Sequence, residues 1–165
     1  MWDKIGSKTS ILKRRKRDIL LLSLWTVLIA LIVIKSYWIS YNTRNRLIYE
    51  KPAYPGYDLS RAEPLDLMVL AMAGAIVVIF LSDFSGAVWG FFASVISAFI
   101  IAVVYVVVYM WFFLDLGSLF SAIAYGWEWA VFISTSIVFA LMFPWIFCVC
   151  LLSFVVGCFL RTLVE

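Results

Sequence analysis

Four apolar stretches, each about as long as a bilayer-crossing helix, constrain this chain more than any other feature. They lie at about 19–39, 65–81, 87–114 and 128–160. Crossing the hydrocarbon core takes about 20 mostly apolar residues as a helix. Of the whole chain 65% is hydrophobic and only 14% is charged, where a soluble domain is about a quarter charged. The sequence therefore predicts an all-α integral membrane protein, a four-helix bundle.

The remaining segments connect these helices within one predicted membrane domain over 1–165. Segment 1–18 is a basic tail, and 40–63 is predicted to be an extracytoplasmic loop because its prolines and glycine favour turns. The basic tail and the apolar run after it have the order of a secretory signal. No small-residue cleavage site follows, so we expect the first helix to be retained.

Two connections and one proline shape the predicted bundle. The turn 82–86 has five residues, so we expect the second and third helices to form an antiparallel hairpin. The connection 115–127 is apolar enough to lie at the membrane surface or to re-enter the membrane. The fourth helix is longer than a bilayer requires and must tilt, kink or protrude. Pro144 is its expected kink point.

Basic residues near the ends of the spans predict the orientation. With four spans, seven Lys and Arg residues of the tail and Arg161 share one side, against four in the 40–63 loop. Lys and Arg are enriched on the cytoplasmic side of membrane proteins. We therefore expect a multi-pass protein of the plasma or inner membrane with both termini in the cytoplasm.

Missing residue types narrow the chemistry. The chain contains no His, which excludes His-ligated metals and haem, Ser-His and Cys-His hydrolases and H-E-x-x-H proteases. The three cysteines lack the C-x-x-C spacing of thiol oxidoreductases, and they are Cys148, Cys150 and Cys158. We expect no catalytic residue, no cofactor and no metal site, so the chain is not predicted to be an enzyme.

Charged residues close to the predicted spans have two readings. Lys35 lies in an apolar run, near the outer headgroups, where a lysine can snorkel; it can also form a salt bridge or line an ion path. Asp66, Asp115 and Glu128 fall at the same outer level and are candidates to share that role. Helix capping and dipole compensation account for Asp66 and Glu128 without such a role.

The basic tail is predicted to contact lipid. Its last four basic residues, Arg14, Arg15, Lys16 and Arg17, adjoin the first span. Attraction to anionic headgroups contributes about 1 kcal/mol per basic residue near the surface. We therefore expect headgroup contact and no specific nucleic-acid partner.

Small residues recur at every fourth position of the third helix. They are Gly86, Gly90, Ser94, Ala98 and Ala102. Small residues let helices approach closely in lipid, where no hydrophobic force drives helices together. The first candidate partner is the second helix, through Ala71 and Ala75. A second line on the fourth helix contains Ser136 and Ala140, continued by Pro144 and Cys148.

Two functions remain open on these grounds. The first is a non-catalytic accessory, assembly or scaffolding subunit of a larger membrane complex, with the lipid bilayer and other membrane subunits or further copies of the chain as partners. The second is a small oligomeric transporter or channel whose path is lined by hydroxyls and Lys35. A proton-coupled transporter usually has a carboxylate buried at mid-membrane, which this sequence lacks.

Overall fold

The chain is helical wherever the structure describes it. The computed structural model describes residues 3–50, 62–113 and 126–164, with side chains over 15–40, 62–113 and 126–163. In these ranges no strand is present, and the predicted all-α class is confirmed. The helices are α1 (Asp3–Glu50), α2 (Pro64–Phe80), α3 (Phe84–Val108, followed by a π-helical turn at Tyr109–Phe113), α4 (Gly126–Met142) and α5 (Trp145–Val164).

Three helical segments are long and apolar enough to cross a membrane. They are Arg15–Ser40 in α1, Phe84–Phe113 in α3 with its π turn, and Trp145–Leu163 in α5. Helices α2 and α4 are also apolar but have 17 residues each. The described part of the chain thus has five α-helices, and the predicted four-helix bundle is not confirmed.

Helix α1 is much longer than the apolar run within it. The sequence predicted a helix over 19–39, whereas α1 spans Asp3–Glu50. Polar residues end an apolar run, but a helix continues until a breaker or a cap stops it. After Ile39 the first proline or glycine is Pro52. The predicted loop at 40–63 was therefore wrong over its first part, and 51–61 lie outside the described residues.

The predicted fourth helix is two helices in the structure. Helix α4 ends with the Phe143 amide donating to the Phe139 carbonyl, and α5 begins with the Cys148 amide donating to the Pro144 carbonyl. Proline has no N–H and its ring clashes with the preceding helical turn. Pro144 therefore separates α4 from α5 and does not merely kink one helix over 128–160.

Helices α2 and α5 pack side by side in the same direction. Gly74 of α2 faces Ser153 of α5, and Val78 lies four residues on, against Gly157. The Leu81 carbonyl, just after α2, then accepts a hydrogen bond from Arg161. Because the partner numbers rise together along both helices, α2 and α5 are parallel.

Helices α1 and α3 form the second parallel pair. The Trp25 and Phe91 rings have centroids 5.7 Å apart, and the indole Nε1 of Trp38 donates to the Tyr105 hydroxyl at 2.8 Å. The predicted α2–α3 hairpin is therefore wrong in its packing, since α3 lies mainly on α1 and α4 and α2 lies mainly on α5. The short turn joins the ends of α2 and α3, but their small-residue faces contact other helices.

Substitution of Gly157 tests the packing of α2 on α5. In Gly157→Ala the new Cβ would lie 2.8 Å from Val78 Cβ and 3.0 Å from the Ala75 carbonyl oxygen. Neither neighbour can rotate away, so we expect a loss of about 1–3 kcal/mol in unfolding free energy, as for other overpacked sites. The measurement is unfolding in detergent, followed by circular dichroism.

The matched control is Gly86→Ala, whose Cβ would lie 3.7 Å from Asp83 Oδ2, an ordinary van der Waals distance. This variant should unfold like the wild type or slightly later. Equal stability of the Gly157 and Gly86 variants would contradict the α2–α5 contact.

Candidate functional site

The small-residue line of α3 lies against α1 over most of its length. Gly90, Ser94, Ala98 and Ala102 are buried, whereas Gly86 at the start of α3 is exposed. The Ser94 hydroxyl lies 3.5 Å from the Leu22 carbonyl oxygen of α1. A Cβ on Gly90 would lie 2.6 Å from Leu22 Cδ1. Backbone and side chain of α1 thus occupy the space that the small residues leave.

The sequence therefore assigned the wrong partner to this line. Helix α2 was the predicted partner, through Ala71 and Ala75, but both residues are only half-buried on α2. The Ala75 carbonyl faces Gly157 of α5 instead. Sequence reasoning missed this second close contact, although the four-residue interval between Ser153 and Gly157 was a signal that could have found it.

The second small-residue line is exposed. Ser136 and Ala140 on α4 face outward, as do Pro144 and Cys148, and the Ser136 hydroxyl donates to the Phe132 carbonyl of its own helix at 2.9 Å. The faces that α4 and α5 bury are offset from this line. They carry Ala130, Ser134, Val138, Ile146, Cys150 and Ser153.

An ionic cluster joins α1 to the start of α2. The Lys35 ammonium donates to both carboxylate oxygens of Asp66, at 2.8 and 3.0 Å, and to Oε2 of Glu63 at 2.8 Å. The side chain of Asp66 is 13% exposed, whereas those of Lys35 and Glu63 are 46% and 53% exposed. Lys35 thus neutralises carboxylates at the N-terminus of α2. Sequence reasoning had not included Glu63.

The other two carboxylates predicted to share this level are placed differently. Glu128 lies in the first turn of α4 and is exposed. Among the described residues no ion pair joins it to Lys35. Asp115 lies outside the described residues. Of the four predicted residues, the structure brings together Lys35 and Asp66.

A second polar cluster joins α1 and α5 to the end of α2. Arg17 donates to the Phe80 carbonyl at 2.9 Å and to the Ser82 hydroxyl at 3.0 Å. Arg161 donates to the carbonyl oxygens of Leu81 and Ser82, at 2.9 and 3.3 Å. The last carbonyls of a helix have no partner within the helix. Arg17 satisfies the last of them, on Phe80, and Arg161 binds the two carbonyls just beyond the helix. Both arginines also place positive charge at the negative end of the helix dipole.

The predicted headgroup residues lie at this same end of α1. Arg15, Lys16 and Arg17 are exposed, and the side chain of Arg14 lies outside the described range. Arg17 has a further neighbour in Asp18, 3.6 Å away. Arg17 therefore has a structural contact with α2 in addition to its exposed surface.

An aromatic groove of about 210 Å³ lies near the opposite end, lined by Trp38, Tyr105, Val108, Tyr109 and Phe113. Three of its rings form a stack, with centroids 6.4 Å apart for Tyr105 and Tyr109 and 5.6 Å apart for Tyr109 and Phe113. Tyrosine and tryptophan are enriched where spans meet the headgroups. The groove has the composition of a membrane-boundary surface.

Within residues 15–40, 62–113 and 126–163, no group of three His, Cys, Asp or Glu side chains is placed to hold a metal ion. Two helix-packing seams have definite geometry, one between α1 and α3 at Gly90 and one between α2 and α5 at Gly157. The two polar clusters at the ends of α2 have definite geometry as well. Comparisons of the chain with protein-family models, with curated proteins and with solved structures found no match.

Enlarging Gly90 tests the α1–α3 seam. Gly90→Leu adds four carbons where Leu22 lies, so we expect failure of folding or assembly. Gly90→Ala is milder because the end of the Leu22 side chain can rotate away, and we expect a loss of about 1 kcal/mol, at the lower end for overpacking. Yield and size-exclusion profile in detergent measure both. A normal yield and oligomeric state of Gly90→Leu would show that α1 and α3 do not pack closely at Gly90.

Removing the charge of Lys35 tests the cluster at the start of α2. In Lys35→Met the carboxylates of Glu63 and Asp66 lose their shared counter-ion, so we expect the midpoint of thermal unfolding to fall. The double variant Lys35→Met, Asp66→Asn removes one of the two remaining negative charges and should recover part of the loss. Lys16→Met, an exposed lysine at the other end of α1, is the control. Identical midpoints for all four proteins would show that the cluster is not stabilising.

Proposed function

We propose that this chain is a non-catalytic accessory, assembly or scaffolding subunit of a larger membrane protein complex. The observation that carries the proposal is a pair of exposed small residues one turn apart on α4, Ser136 and Ala140. Small side chains leave room for the backbone of another helix to approach closely. The corresponding line on α3 is covered by α1 within the chain, whereas this pair remains open to a second protein.

The uncovered apolar surface supports the same proposal. In an 18-residue apolar stretch of each span, the chain itself buries 33% of the residues in α1, 33% in α3 and 22% in α5. Helix α5 therefore has the largest share of uncovered positions among the three spans. Lipid and neighbouring subunits are the two partners that can cover such a surface.

We further propose four crossings, by α1, α2, α3 and α5, with both termini cytoplasmic. Helix α2 contacts Arg17 at its end and Lys35 at its start. These two residues are 18 positions apart on α1, or about 27 Å along a helix, which is close to the hydrocarbon thickness of about 30 Å. The arginine-rich end of α1 would then face the cytoplasm of a plasma or inner membrane, consistent with the distribution of Lys and Arg.

The alternative of a small oligomeric transporter or channel has less support from the hydroxyl groups. The buried Ser36 and Ser153 donate to carbonyls of their own helices, those of Ile32 and Cys150. Ser134 donates to the sulfur of Met110. Hydroxyls used in this way stabilise helix packing and offer less to a hydrated path.

Native purification with matched variants tests the proposed function. We expect the wild-type chain to co-purify in mild detergent with other membrane subunits in fixed stoichiometry. Ala140→Leu should release these subunits while the chain remains folded, because a bulky side chain would keep another helix away. Ala93→Leu, at an exposed alanine of α3 outside the line, should retain them. A chain that purifies alone as a homo-oligomer and conducts ions in liposomes would overturn the proposal.

A further inference from the structure

Trp25 of α1 has a buried polar group without a partner. The residue is 2% exposed. Its Nε1 is buried and makes no hydrogen bond, which is true of no other buried side-chain nitrogen or oxygen among the described residues. Trp25 lies eight residues from Arg17 and ten from Lys35, or about 12 and 15 Å along the helix axis. The indole N–H is thus near mid-depth between the two polar clusters, where unpaired polar groups are most costly.

The indole ring of Trp25 reaches the contact between α2 and α5. A Cβ built on Gly74 would lie 3.1 Å from Cζ2 of Trp25. Cζ2 and Nε1 are bonded to the same ring carbon, so Nε1 lies two bonds from the ring atom that approaches Gly74. The same Cβ position would also collide with Oγ of Ser153. Gly74 therefore lies beside both the Trp25 ring on α1 and the Ser153 hydroxyl on α5.

The hydroxyl of Ser153 has unused capacity to accept. Ser153 is 2% exposed, and its Oγ donates its proton to the Cys150 carbonyl at 2.8 Å. A hydroxyl has one donor and two acceptor lone pairs. The lone pairs of Ser153 Oγ can receive a hydrogen bond, while the Trp25 N–H needs an oxygen to receive its own.

We propose that one water molecule bridges Trp25 and Ser153 beside Gly74. The water accepts from Nε1 of Trp25 and donates to Oγ of Ser153. Buried waters typically bind polar groups that have no other partner, with two to four hydrogen bonds each. The site joins α1, α2 and α5 at the centre of the membrane-spanning part, and it is distinct from the exposed line proposed to receive another subunit.

Nuclear magnetic resonance of the indole groups tests this site in the full-length protein in nanodiscs. The chain is labelled with ¹⁵N-tryptophan, and the Trp25 indole signal is identified with Trp25→Phe or, if that variant does not fold, by replacing the other tryptophans in turn. We expect a downfield, hydrogen-bonded shift of the Trp25 indole proton and a cross-peak to water.

Two serine variants complete the test. Ser153→Ala should move the Trp25 indole proton upfield and weaken its cross-peak to water. Ser97→Ala, which removes an exposed hydroxyl on α3, should change neither. An upfield indole shift without a water cross-peak in the wild type would overturn the proposal. A second result would also overturn it: the wild type shows a hydrogen-bonded indole shift but no water cross-peak, and Ser153→Ala abolishes that shift. This result would indicate a direct hydrogen bond between Trp25 and Ser153.

Discussion

Close approach of helix backbones is the interaction on which the arrangement of this chain depends. Lipid is as apolar as the side chains, so helices associate through van der Waals contact and a few polar bonds. At Gly90 and Gly157 an added methyl group would meet atoms of the facing helix at less than 3.0 Å. The glycines thus determine which helices become neighbours: α1 with α3 and α2 with α5.

Polar groups at both ends of α2 complement these seams. At the start, Lys35 binds Asp66 and Glu63. At the end, Arg17 binds the Phe80 carbonyl and Arg161 binds the Leu81 carbonyl just beyond it. Helix α2 is only 17 residues long, and each of its ends is attached to a neighbouring helix. The seams determine the lateral position of α2, and the polar clusters determine its position along the bundle axis.

The sequence predicted helix type and approximate location better than helix ends and neighbours. The apolar run 65–81 corresponds closely to α2, because Pro64 and the turn at Ser82 bound it. The run 19–39 was too short for α1, since polar residues without a breaker continue a helix. Pro144 was predicted as a special point, but whether it kinks or separates helices depends on what the two halves pack against.

The candidate sites show the same division. Gly90, Ser94, Ala98 and Ala102 were recognisable from their spacing alone, and so was Lys35 as a charge in an apolar run. Their partners Leu22 and Glu63 were not, because they are 68 and 28 positions away along the chain, and no local pattern links them. Ser136 and Ala140 had the same spacing as the α3 line, yet the structure leaves them exposed.

By itself, the sequence determined that this chain is helical and apolar enough for a membrane, since composition and run length are local properties. It also determined which positions allow close helix contact, since only a small side chain leaves that space. Only the tertiary structure decided which helices use those positions, which charges meet, and which small-residue line remains open. Those outcomes depend on the relative rotation of helices distant in sequence, and periodicity along one helix contains no information about it.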